Sequence, residues 1–232
     1  PDGQGRITSV KEAANQGLKD VIETLSQLKH YRNIAIYLLS RMFMIDGMVG
    51  VMTFGGVYAS GTFNWDTTLR VRAILHQLGV RTAMSRGNDD ALGPCIDERA
   101  AMANSLQPNA VVSIHADGGP ATGRGFHILY ANPPLNTAQA GPSVQLARMM
   151  RDQLAGSGIP PSTYIGSSGL NPRADIAGLN LAQYPSILVE LGNMKNPVDS
   201  TLMESAEGRQ KYADAVARGV VAFLQTQPSR TS

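Results

Sequence analysis

Two stretches decide the reading of this chain: Ala110-Val111-Val112-Ser113-Ile114-His115-Ala116-Asp117 and Ile187-Leu188-Val189-Glu190-Leu191-Gly192-Asn193. Each opens with the short, β-branched apolar run of a strand buried in a sheet. Each then delivers groups that have no place in an apolar core: His115 and Asp117 in the first, Glu190 in the second. In open α/β sheets the site lies at the carboxyl ends of the strands, so a His and a Glu far apart in sequence can converge there. A neutral imidazole can hold a metal, and a carboxylate can take a proton from metal-bound water, whose pKa zinc lowers to about 7. Glu190 inside an apolar run is costly unless it is paired or working. His115 by itself reads equally well as a hydrogen-bonded residue at a strand end.

Outward from these runs, helical and strand-like segments alternate from residue 62 onward. Leu69, Val71, Ala73, Ile74 and Leu78 predict a helix stopped by Gly79. A strand over Val80–Met84, a helix over Asp97–Leu106 and a central buried strand over Ala110–Ile114 are expected next. Then come a strand over Gly125–Tyr130, a helix over Val144–Leu154 stopping at Gly156 and Gly158, a strand over Ile187–Leu191 and a helix over Glu207–Leu224. This order predicts one α/β domain over 58–228, with a mixed, mostly parallel sheet flanked by helices on both faces. Residues 1–57 read differently. Val10, Ala14, Leu18, Val21, Leu25 and Leu28 mark an amphipathic helix over 8–31, followed by an apolar segment over 34–59. Arg41, Asp46 and the glycines at 47, 50, 55 and 56 interrupt that segment. The run before Arg41 falls short of the roughly 20 residues a membrane span needs, so a buried strand and glycine-rich loop are expected, with no transmembrane segment.

Composition supports a folded chain: of 232 residues 43% are hydrophobic and 16% charged. A net charge of +2 without runs of like charge argues against a nucleic-acid partner. Cys95 is the single cysteine, so no internal disulfide forms, and Gly93, Pro94 and Ile96 beside it bring no charge that would make it a nucleophile. Pro1 in place of Met predicts a processed or truncated start, with any signal peptide already removed. A monomer is expected.

Four blocks occur in order: Ser85-Arg86 with Asp89; Asp97-Glu98-Arg99 with Ala103-Asn104; Ser113-Ile114-His115-Ala116-Asp117; and Leu188-Val189-Glu190-Leu191-Gly192-Asn193 with Asn196-Pro197. Together they resemble, over about residues 62–228, the zinc-dependent N-acetylmuramoyl-L-alanine amidases of type 3, especially the actinobacterial cell-wall members. The resemblance implies hydrolysis of the amide between the lactyl group of N-acetylmuramic acid and the L-alanine of the stem peptide. It also implies zinc as cofactor, peptidoglycan or muropeptide as substrate, and work outside the cytoplasmic membrane, in the cell wall or periplasm. Carried over residue by residue, His115 is implied as a zinc ligand and Glu190 as the catalytic carboxylate.

The family's two other ligands are a His in an Asp-Pro-Gly-His turn and a Glu ahead of a helix. In this chain Met44-Ile45-Asp46-Gly47-Met48-Val49 stands at the turn and Ser60 ahead of the helix, so Val49 and Ser60 fall on the ligand positions. Neither side chain is a zinc ligand. Asp46, Asp66, Asp117 and His127 are the residues that could complete a site. Asp66 reads as a solvated helix residue, His127 as simple alternation within Gly125-Phe126-His127-Ile128, and Asp117 as a group that orients a loop or a neighbouring ring. His30 and His76 read as ordinary surface or helix residues. Two functions stay open: a zinc amidase, and an amidase homologue that binds wall peptides without cutting them.

Overall fold

The computed structural model describes Lys19 and residues 62–87 and 93–227. The helix expected over 8–31, of which Lys19 alone is described, and the strand and loop expected over 34–59 lie outside these residues.

Helix α1, over 62–77, turns Phe63, Val71 and Leu75 into the core. It stops as expected at Gly79, which takes φ +77°. The strand expected over Val80–Met84 is not one. Its residues alternate between half-buried and exposed, but among the described residues none pairs with it. A period of two sets which side a residue faces; only a partner's hydrogen bonds make a ladder. Helix α2, Ile96–Ser105, starts where the Cys95 N–H donates to Glu98 Oε2 at 3.0 Å, with Asp97 in the first turn.

Strands β1 (Val111–Asp117), β2 (His127–Ala131), β3 (Leu170–Arg173) and β4 (Ser186–Asn193) form one sheet in the order β1-β4-β2-β3. Strand β1 runs parallel to β4 and β2 parallel to β3, while β2 runs antiparallel to β4, so the sheet is mixed and mostly parallel. The strand expected to be central and buried, β1, pairs with β4 alone among the described residues and is half-buried along its length. The buried interior strand is β4. Strand β3, Leu170-Asn171-Pro172-Arg173, lies in a stretch for which the sequence offered no strand pattern. Proline lacks the ladder N–H and is tolerated at an edge, which is where β3 lies.

Helices α3 (Val144–Gly156), α4 (Ala177–Asn180), α5 (Pro197–Glu204) and α6 (Ala206–Leu224) complete the domain. On one sheet face Ile128, Ile187, Val189 and Leu191, with Val112 and Ile114, join Leu146, Met150 and Leu154 of α3 and Tyr212, Val216 and Phe223 of α6 in the main core. On the other face, among the described residues, Leu129, Ala131 and Leu188 pack with Leu179 of α4 and Ile176. Among the described residues helices thus cover both faces, but unequally, and the more thinly covered face carries polar side chains. Among the described residues no helix is long and apolar enough to cross a membrane.

Candidate functional site

Strand register assembles the site. His115 pairs with Glu190 across β1 and β4, and Glu190 pairs with His127 across β4 and β2. Paired residues project from the same face of a sheet whose strands lie about 4.8 Å apart, so the three form a row with Glu190 in the middle. Val189 and Leu191 on either side of Glu190 enter the main core, which turns the row onto the thinly covered face. There Glu190 is half-buried and His127 is 3% exposed.

Burial dominates the electrostatics. It pushes the Glu190 carboxyl up to about 8, with the Asp117 charge adding to the rise. Burial lowers His115, and the Arg99 charge lowers it further. His127 is also lowered by burial, against the opposing pull of Asp117 and with Arg173 assisting. Near neutral pH the row therefore holds two neutral imidazoles and a carboxyl that mostly keeps its proton. Oε2 of Glu190 and Nδ1 of His127 are buried without a hydrogen-bond partner.

Beyond the row, the β1–β4 register slips between His115 and Asp117, and Asp117 pairs with Asn193. Asp117 Oδ1 accepts from the Gly118 N–H at 2.6 Å and Oδ2 from the Tyr164 hydroxyl at 2.7 Å, while His127 Nε2 lies 3.9 Å from Oδ2. Burial and this bond raise the Tyr164 pKa, so the phenol remains a donor. Its ring meets the His127 ring edge-on, at 6.0 Å and 86°. The loop over 118–124 is held from the end of β4. Asn193 Nδ2 donates to the Pro120 and Gly123 carbonyls at 2.7 and 2.8 Å, and Asn196 Nδ2 to the Ala121 carbonyl at 3.0 Å. Beneath it, the buried Asp199 Oδ2 accepts from the Gly125 and Asn193 N–H groups at 2.6 and 3.0 Å. Sequence reasoning quoted Asn193 and Asn196 without a role and missed Tyr164 and Asp199. An Asn-rich strand exit followed by Pro197 was the available signal; Tyr164 sits in a loop without any pattern.

The residues considered as additional ligands divide. His127 is in the row, and Asp117 is beside it but engaged. Asp66 Oδ2 is tied up in ion pairs with Arg70 Nε at 3.0 Å and Arg209 Nε at 2.5 Å. His76, exposed on α1, bonds Thr82 Oγ1 at 2.7 Å, as an ordinary helix residue would. Asp46, His30, Val49 and Ser60 lie outside the described residues. Among the described residues no three His, Cys, Asp or Glu side chains are grouped to hold a metal ion. His115 and His127 flank Glu190 on opposite sides, which spreads the donors along the sheet instead of converging them. Taken alone, the described donors supply too few ligands to complete a three-ligand zinc site.

A family model described as N-acetylmuramoyl-L-alanine amidase matches residues 47–222. The N-acetylmuramoyl-L-alanine amidase Rv3717 of Mycobacterium tuberculosis is 71% identical over 178 residues, which are 77% of this chain and 73% of that protein. Among solved structures, the N-acetylmuramyl-L-alanine amidase Ami1 of Mycobacterium smegmatis is 77% identical, with a TM-score of 0.72 over 72% of this chain and 78% of that one. The apo form of Ami1 from Mycobacterium abscessus is 61% identical, with a TM-score of 0.70 over 71% of this chain and 78% of that one. With the family model spanning most of its length, this chain belongs to the N-acetylmuramoyl-L-alanine amidase family.

Proposed function

We propose that this chain, through residues 58–228, hydrolyses the amide between N-acetylmuramic acid and L-alanine in peptidoglycan or muropeptides, outside the cytoplasmic membrane. The observation that carries the reading is Glu190, a carboxyl set between two neutral imidazoles and pushed by burial to about 8. A carboxyl with its pKa near the working pH can serve first as base, taking a proton from the attacking water, and then as acid, returning it to the leaving amine. His115, kept neutral, has a lone pair to offer. Zinc dependence is general in the family, and His115 is the ligand this chain would contribute. Since Val49 and Ser60 stand where the other two ligands belong, the proposal assigns no step to the metal. Every residue of the row comes from one chain, so a monomer suffices.

Binding without hydrolysis is the second reading, and the same Val49 and Ser60 favour it. Purified protein supplied with zinc and a defined muropeptide separates the two. Release of free stem peptide, abolished by Glu190→Gln and accompanied by about one bound zinc lost in His115→Ala, supports the hydrolase. Peptide binding that survives a chelator, with no release of product, overturns it in favour of the binding protein.

A further inference from the structure

Helix α1 and the extended segment after it enclose a cavity that the site on the sheet does not use. Trp65, Leu69 and Arg72 recur at helical spacing along one stripe of α1, and Thr82, Met84 and Arg86 are the half-buried members of an alternating run. Three contacts lace the two together in antiparallel order. His76 Nε2 meets Thr82 Oγ1 at 2.7 Å, Arg72 Nη1 donates to Met84 Sδ at 3.6 Å, and the Arg86 guanidinium lies 4.8 Å from the centre of the Trp65 ring. These contacts leave a cavity of about 350 Å³, the size of a small-ligand site. Two guanidinium groups line it and, among the described residues, no carboxylate does. Among the same residues Arg72 has only a thioether, a weak acceptor, where an anion would serve it better.

An indole and a leucine set beside two guanidinium groups suit a ring with an apolar face and an anionic substituent. Guanidinium takes a carboxylate through paired N–H···O bonds. The reaction proposed above makes such a ligand, because cutting the lactyl amide leaves N-acetylmuramic acid with a free lactyl carboxylate. We propose that the cavity between Trp65, Arg72 and Arg86 binds this acidic sugar, the glycan-side product, with its ring against Trp65 and Leu69 and its lactyl carboxylate on Arg72. The identity of the sugar rests on the muropeptide reading above. In uncut substrate the lactyl group is an uncharged amide, so the cavity selects glycan already stripped of its peptide.

Trp65 is the single tryptophan of the chain, so its fluorescence reports the cavity directly. The full chain, in chelator, is titrated with N-acetylmuramic acid, with N-acetylglucosamine as the sugar without the carboxylate and lactate as the carboxylate without the sugar. Calorimetry follows the same titrations. N-acetylmuramic acid is expected to give a saturable change and to bind roughly tenfold or more tightly than either control. Arg72→Gln should weaken its binding roughly tenfold, and Arg72→Lys should recover part of the loss. Binding no tighter than that of the controls, or undiminished in Arg72→Gln, overturns the proposal, and the wild-type comparison decides by itself if the variant fails to fold. Muropeptide cleavage measured in parallel separates this site from the hydrolase reading. A chain that binds the acidic sugar without releasing stem peptide keeps the site and loses the hydrolase; one that releases stem peptide without binding the sugar keeps the hydrolase and loses the site.

Discussion

Glu190→Gln in the folded protein is the perturbation whose size follows most directly from the site. In the native state the carboxyl holds its proton up to about pH 8, against an ordinary value of 4.5. Between those values the folded chain binds a proton that the unfolded chain has released. Stability therefore falls as pH rises through the interval, and the loss is complete above about pH 8. At about 1.4 kcal/mol per pH unit the interval corresponds to a ceiling on the order of 5 kcal/mol. Glu190 is half-buried, and solvent screening on its open side reduces this to about 2 kcal/mol. The amide of the Glu190→Gln variant would occupy the same volume without titrating.

The assay is thermal unfolding of both proteins in chelator from pH 4 to 9. Wild type and variant should melt together near pH 4.5. The variant should pull ahead by roughly 4 to 8 °C at pH 8.5, given the size of the domain. His115 and His127 titrate in both proteins and largely cancel in the difference. A Tm difference that stays flat across the range would refute the claim that burial on this sheet face raises Glu190, and with it the dual acid and base role.

Two further outcomes concern the scaffold under the site. Asp199→Ala leaves the Gly125 and Asn193 N–H groups buried without an acceptor and should cost about 2–4 kcal/mol in urea unfolding; a loss under about 0.5 kcal/mol would show that water replaces the carboxylate freely. Gly208→Ala would drive a Cβ into the Leu202 carbonyl oxygen where α5 hands over to α6, and should cost about 1–3 kcal/mol in the same measurement, whereas an unchanged midpoint would mean the turn relaxes without penalty.

What could be read from sequence, and what could not, follows the difference between sidedness and pairing. The strands around His115 and Glu190 announced themselves because a strand covered by helices reads as an apolar run, and α1, α3 and α6 lie under that face. The helix end at Gly79 was likewise written locally. Local pattern does not record which strand lies beside which. The order β1-β4-β2 brings His127 opposite Glu190, and without that order His127 is only one member of an alternating run. Tyr164 and Asp199 were invisible for a related reason. Each acts on a loop or strand end far away in sequence, and neither sits in a periodic segment.

The same alternation makes the site depend on the core. Strand β4 commits Ile187, Val189 and Leu191 to the cluster with Leu146, Met150 and Phe223, and period two then leaves Glu190 no choice of face. A slip of one residue would carry the carboxyl into that cluster and lift Val189 out, so the cost of burying an unpaired acid opposes every wrong register. Strand β1 obeys the same constraint, with Val112 and Ile114 packed inward and His115 turned outward. The row of His115, Glu190 and His127 is in this sense the outer face of the hydrophobic pattern that folds the domain. Substitutions that loosen Val189 or Leu191 should disturb the carboxyl before they unfold the chain.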